Sequence, residues 1–135
     1  KKINNRLKFK EKPSPKINGV KYEIRLVNDK DINHYLISRN LKKNRESSIN
    51  NKKISTIDHY LWWLNTNRES YVLLKNKKRI LYFFHEKIVL NNRKYWWGGW
   101  FPTPEGCEIN EILFAHFHCH ITLNVVFFFL TETTA

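Results

Sequence analysis

Apolar and polar residues change their spacing several times along the chain, and the first changes predict a strand followed by a helix. Residues 22–27 alternate between apolar and polar positions, which is typical of a half-buried strand. Asn28 and Asp31 then have the spacing of a helix N-cap and its N3 acid. We expect the helix to end near Asn40, and the polar residues 40–53 to form a loop.

A second helix and three further strands are predicted beyond that loop. Ser55 and Asp58 repeat the capping pattern and begin a helix over 57–64, whose apolar residues lie on one face. Two-residue periodicity and apolar runs then predict three strands, with turns near Asn76 and at Asn91-Asn92. The apolar face of this helix has Tyr60, Leu61 and Leu64. The three strands are residues 71–74, residues 80–84 and residues 93–101, and the second strand continues through 88–90 after a break at 85–86.

The order of the elements defines the expected fold class and the domain boundaries. A last helix over 108–115 completes the order strand, helix, helix, strand, strand, strand, helix. This order predicts a mixed α/β (α+β) domain whose mainly antiparallel sheet is flanked by helices. We expect a basic tether over 1–20, the domain over 21–115 and an atypical apolar tail over 116–135.

The tail differs in composition from everything before it. It has no Lys or Arg, in a chain that contains 24. A frameshift, an alternative ending or a truncation accounts most simply for the change, and a buried strand over 121–130 is the alternative. Residues 125–130 are apolar and uncharged, so they are prone to aggregation wherever they are exposed. The chain also has no methionine, which is expected of a piece of a longer protein.

Charge and composition narrow the possible partners and compartment. The 135 residues carry a net charge of +12, with +11 in residues 1–55 and −4 in residues 101–135. Such a surplus favours anionic partners, including nucleic acid and phosphorylated small molecules, although scattered solvated lysines would give the same total. Two cysteines are typical of a reducing cytosol, so we expect a cytoplasmic protein with free thiols. No run reaches the ~20 apolar residues of a membrane span.

Few residues carry recognisable chemistry. His116, His118 and His120 would share one face of a strand, but without an acidic partner we predict no metal site. His34, His59 and His85 are isolated, and a packed or surface histidine is the commoner explanation for each. Gly98-Gly99 within an aromatic strand indicates either a bulge or a close approach by a ligand.

Three segments together resemble the start of a GNAT-type N-acetyltransferase. They are Ile24-Arg25-Leu26 with the capped helix ending in Ser38-Arg39-Asn40, then residues 44–50, then residues 54–63. The arrangement is similar to the subgroup that acetylates amino sugars on the route to nonulosonic acids. The resemblance covers about residues 22–115 and suggests a partial form of that fold.

The resemblance implies a cofactor, an acceptor and the residues that bind them. Acetyl-coenzyme A would bind along a splayed strand over 95–101, and an amino-sugar acceptor, free or nucleotide-linked, would bind opposite. Gly98 and Gly99 would leave room for the pantetheine arm. Implied cofactor contacts are Trp97, Gly98, Gly99 and Trp100, and implied acceptor contacts are Arg39, Asn40, Arg45 and Asn50.

The chain departs from the family pattern at the expected phosphate-binding loop. The glycine-rich run is missing, and Glu105, Glu108 and Glu111 place negative charge there instead. These departures favour weak or absent activity in this chain. A general base is still needed, and the candidates are Glu111 and His85. The alternatives to an enzyme are a basic module that binds nucleic acid or a partner protein, and an oligomerising domain that associates through the tail.

Overall fold

A computed structural model describes residues 16–17 and 19–115 of the chain. Nearly all of the predicted tether and the whole of the predicted tail, including its three histidines and Cys119, lie outside the described residues. Between these limits the chain forms β1 (Lys16–Ile17), β2 (Val20–Leu26), a 3₁₀ turn (Asp29–Asp31), α1 (Ile32–Arg39), α2 (Lys42–Glu46), α3 (Thr56–Asn65), β3 (Glu69–Lys75), β4 (Lys78–Leu90), β5 (Arg93–Pro102) and α4 (residues 109–115).

The sheet is antiparallel throughout, and its strands lie in chain order. Strands β2 to β5 form the main sheet, and β1 pairs only with the start of β2. Asn76-Lys77 and Asn91-Asn92 connect β3 to β4 and β4 to β5, and all four residues have positive φ. Two-residue turns of this kind match the twist of the strands that they join. The predicted mixed α/β class and both turns are confirmed.

Both faces of the sheet are covered by helices. On one face Tyr71, Leu81 and Phe83 are buried beneath Ile112 and Ala115 of α4. On the other face Tyr35 of α1 packs on Tyr82 and Phe101 of the sheet and on Trp62 and Trp63 of α3. The two covered faces account for the length of the apolar run in β4, because such a strand needs no polar side.

A buried ion-pair network fixes the start of α1 to the sheet. The side chain of Asp31 is 0% exposed and accepts hydrogen bonds from both terminal nitrogens of Arg25, at 2.7 and 2.9 Å. It also accepts from Arg79 Nε at 2.8 Å and from the backbone N–H of Asn28 at 2.8 Å. Asn28 in turn accepts from the backbone of Lys30, so the predicted capping pattern is confirmed.

Two local predictions are wrong, and the predicted apolar face of one helix is exposed. The predicted loop over 40–53 contains α2, because the buried Asn44 amide donates to the carbonyls of Ser38 and Pro102 and holds a helical turn there. Strand β4 runs without the predicted break at 85–86, since His85 is buried against Tyr71 and pairs with the neighbouring strands. Helix α3 has the predicted apolar face, but that face is exposed, and His59 on the opposite face is buried.

Candidate active site

Strand β5 forms one edge of the sheet as far as the structure describes it. It pairs with β4 along its length, and no described strand pairs with its other edge. Gly98 lies opposite His85 and Gly99 lies opposite Phe84, and both glycines are buried. Trp97 lies opposite Glu86, and Trp100 is partly exposed. The four predicted cofactor contacts therefore lie on the outer strand of the described sheet, where both glycines are buried.

The Phe84 ring crowds the space that a side chain at Gly99 would occupy. A Cβ atom at this position would lie 2.9 Å from Cζ and 3.2 Å from Cε1 of the Phe84 ring. The Arg68 guanidinium stacks on the same ring, 3.8 Å from its centroid, and lies 5.4 Å from the Trp62 ring. A side chain at Gly99 would therefore press on the Phe84 ring, so a substitution here changes packing as well as any ligand binding.

We expect Gly99→Ala to lower the free energy of unfolding by about 1–2 kcal/mol, at the lower end of the cost of overpacking, because the Phe84 ring can shift in part. Chemical denaturation measures the change. The matched control is Gly99→Ala combined with Phe84→Leu, which removes the atoms in conflict. The combined variant should lose less stability than the sum of the two single changes. Strict additivity would show that the ring does not limit this position.

A histidine–carboxylate pair lies beside Gly98 on the neighbouring strands. His85 on β4 is directly opposite Glu69 on β3, and His85 Nε2 lies 3.0 Å from Glu69 Oε2. The same carboxylate oxygen accepts from the Tyr71 hydroxyl at 3.0 Å, and the Tyr71 ring stacks on the imidazole. A carboxylate can only accept, so Nε2 carries the hydrogen and Nδ1 is the basic nitrogen of neutral His85.

Glu111, the other candidate base, lies at the start of α4. Its carboxylate accepts from the Tyr22 hydroxyl at 2.5 Å and from the Glu108 backbone N–H at 3.1 Å, and it pairs with Lys75 at 3.2 Å. Burial alone would raise the pKa of Glu111, but these three partners lower it. The arrangement caps α4 and keeps the carboxylate charged, which suits an anchor better than a proton acceptor.

Arg39 differs from the other predicted acceptor contacts in its surroundings. It ends α1, and its Nη1 atom is buried without a hydrogen-bond partner among the described residues. Burial lowers the pKa of the Arg39 guanidinium, and the nearby charge of Arg68 lowers it further. A buried donor without a partner is costly. An anionic group bound here would remove that cost.

The other three predicted acceptor contacts hold the chain that follows α1. The Asn40 side chain accepts from the Ile54 N–H and donates to the Ile54 carbonyl, both at 2.8 Å. Arg45 donates to the carbonyls of Asn40 and Asn51, and Asn50 accepts from the Lys52 N–H. These bonds fix the path of the loop, so any contact of these side chains with an acceptor would be additional to them.

The segment between β5 and α4 is acidic and tied to the core. Thr103 is buried and donates its hydroxyl to the Arg79 carbonyl at 2.7 Å. Glu105 lies 3.2 Å from Nε2 of His34, whose Nδ1 lies 2.8 Å from the Tyr82 hydroxyl. Because Glu105, Glu108 and Glu111 carry negative charge here, the segment offers little attraction to a pyrophosphate.

The predicted residues thus fall into separate regions. His85 and the glycines are neighbours across β4 and β5, Arg39 lies at the end of α1, and Glu111 lies on α4. The sequence did not reveal Glu69, because only the register of two strands places it opposite His85, 16 residues away. The described residues contain no group of three or more His, Cys, Asp or Glu side chains that could hold a metal ion.

In comparisons with known proteins, no family, no curated protein and no solved structure matched this chain. The described part of the chain contains no helix that is long and apolar enough to cross a membrane.

Proposed function

We propose that this domain transfers an acetyl group from acetyl-coenzyme A to the amino group of an amino sugar, free or nucleotide-linked. The observation that supports the proposal most strongly is the position of the His85–Glu69 pair directly beside Gly98 of the edge strand. That position puts a candidate base next to the strand to which the resemblance assigns the cofactor.

The cofactor would lie along the outer edge of β5 and form hydrogen bonds with its backbone, as an additional β-strand would. The pantetheine arm contains two amides, and an extended chain with amides can pair with the backbone groups of an edge strand once the groups that bury Gly98 and Gly99 move aside. Trp97, Gly98, Gly99 and Trp100 would provide that edge. The acidic segment after β5 gives no help with the pyrophosphate, so we expect affinity to depend on the β5 contacts and to be modest.

The chemistry requires a neutral amine. Nδ1 of His85 is buried, so the groups that cover it would have to move before it could accept a proton from the acceptor's ammonium group, directly or through one water. The freed nitrogen would attack the thioester carbonyl carbon, and collapse of the tetrahedral intermediate would break the C–S bond. Coenzyme A leaves as a thiolate and takes up the second proton, which the nitrogen loses as the amide forms, and His85 releases the first proton to solvent. Glu69 would hold the imidazole in the tautomer that this step needs.

The acceptor would be held by charge as well as by hydrogen bonds. Arg39 carries an unpartnered buried donor, which suits a phosphate of a nucleotide-linked sugar. Helix α1, which ends in Arg39, covers the sheet face opposite the one where His85 stacks on Tyr71, so the sugar would have to pass the β5 edge to reach His85. Asn40, Arg45 and Asn50 would supply the remaining contacts from the loop that they stabilise.

The proposal is tested by measuring thiol release from acetyl-coenzyme A with a panel of amino sugars, with and without a nucleotide. Acetylation that requires both the amine and the cofactor is expected. Equal thiol release in the absence of any amine would contradict acetyl transfer.

A further inference from the structure

Helix α3 is apolar on its outer face as well as on its inner face. His59, Trp62 and Trp63 point toward Tyr35 and the sheet. The outer face has Ile57, Leu61 and Leu64, at spacings of four and three residues, and they are 72%, 56% and 75% exposed. The outer face of a surface helix is normally polar. This helix is therefore built as though both of its faces were covered.

Helix α1, which contacts α3, also has an exposed apolar residue. The hydroxyl of Tyr60, itself 38% exposed, donates to Asn33 of α1 at 2.5 Å and joins the two helices. Ile37 follows Asn33 by one helical turn and is 56% exposed. We call this surface the α1–α3 patch, and its members are Ile37, Ile57, Tyr60, Leu61 and Leu64.

The size of the α1–α3 patch is that of a dimer interface core. With these exposed fractions the five residues present ~550 Å², at the upper end of the largest apolar patch on a typical monomer. Homodimer interfaces as a whole are about 65% apolar, so a patch of this size with a polar rim would give a contact of ~850 Å² per copy. A stable interface needs about 800 Å² per partner.

The charge of α3 favours a second copy of this chain over an anionic partner. The chain carries a net charge of +12, yet α3 contains no Lys or Arg, and Asp58 is its single charged residue. Two copies of a strongly basic chain repel each other, and the repulsion is weakest between surfaces that have no Lys or Arg. Nucleic acid or an acidic membrane surface would find no counter-charge on this helix.

We propose that the α1–α3 patch is a self-association surface through which two copies of this chain form a symmetric dimer. In such an isologous contact the same residues meet from both copies, so each substitution acts twice. The surface is independent of the proposed acetyl transfer, because none of its residues belongs to the β5 edge or to the His85–Glu69 pair.

The test is sedimentation equilibrium of the full chain and of two matched variants at moderate salt. Leu61→Lys places a cation in the patch, and we expect it to raise the dimer dissociation constant about tenfold or more. Val89→Lys places the same charge at a residue of similar exposure, 65%, on the β4–β5 hairpin, and should leave that constant unchanged. Circular dichroism checks that both variants keep the fold.

A wild-type dimer lost only in Leu61→Lys supports the proposal, and so does a dimer that persists as salt rises. A chain that stays monomeric at on the order of 100 µM would overturn it. The proposal would also be overturned if the chain associates and Leu61→Lys does not change the association. Such association would occur through the tail or through bound nucleic acid.

Discussion

Replacing Asp31 by alanine is expected to lower the free energy of unfolding by about 3 kcal/mol. The carboxylate is fully buried and accepts hydrogen bonds from Arg25, Arg79 and the Asn28 backbone, so its loss leaves two guanidinium groups without their anion. Both arginine side chains are about one-third exposed, which lets water solvate them in part. That places the effect at the lower end of the range for a broken buried pair. Urea denaturation, followed by tryptophan fluorescence, measures it.

The matched control is Asp58→Ala on α3, which removes an exposed carboxylate from the first turn of a helix. Only the interaction with the helix dipole is lost there, so we expect a change within about 1 kcal/mol. If both variants lost the same small amount, the Asp31 network would not be what joins α1 to the sheet.

The Asp31 network also sets a dependence of stability on pH. Burial alone would raise the pKa of Asp31, but hydrogen bonds from Arg25, Asn28 and Arg79 lower it below its usual value. A carboxyl whose pKa is lower in the folded state contributes stability above its unfolded pKa of about 3.9 and loses it as pH falls further. Asp31→Ala should therefore show a weaker fall in stability below about pH 4 than the wild-type chain.

Replacing His85 by glutamine is expected to lower the rate of the proposed acetyl transfer by about 10²- to 10⁴-fold, the usual contribution of a general base. Glutamine is close in size and its amide can still donate to Glu69, so the stacking position on Tyr71 is filled while the basic nitrogen is lost. Thiol release at saturating acetyl-coenzyme A gives the rate, and thermal unfolding confirms that the fold is retained.

Glu69→Gln separates a positioning role from a purely structural one. Here the imidazole remains, but its tautomer is no longer fixed by a carboxylate. We expect an intermediate loss of rate together with a changed pH profile, whereas a structural defect would lower the rate equally at every pH.

Full activity in His85→Gln would show that the base lies elsewhere. A wild-type chain that releases no coenzyme A with any amine would contradict the catalytic half of the proposal.

Much of the fold could be predicted from local patterns. Capping signals are short-range, so Asn28 with Asp31 and Ser55 with Asp58 located two helix starts correctly. Asparagines that tolerate positive φ located both hairpin turns. Helix α2 was missed because its support comes from the Asn44 amide bonded to Pro102, 58 residues away. No pattern within residues 40–53 contains that information.

The site was less predictable, because its geometry depends on register and burial. His85 was a candidate by residue type, but the Glu69 partner follows only from the pairing of β3 with β4. Glu111 was also a candidate base by residue type, and only its contacts with Tyr22 and Lys75 show an anchoring arrangement. The exposed face of α3 was also beyond prediction, since an apolar stripe does not reveal which side of a helix meets the sheet.

The most direct test of the central proposal is a calorimetric titration of the full chain with acetyl-coenzyme A at moderate salt, which suppresses nonspecific attraction to the positive charge. We predict saturable binding with one site per chain, and an affinity that changes little as salt rises, because the contacts are those of the β5 edge. Heat that never saturates, or binding that falls by a decade or more with salt and is matched by RNA, would contradict it and favour a nucleic-acid-binding module.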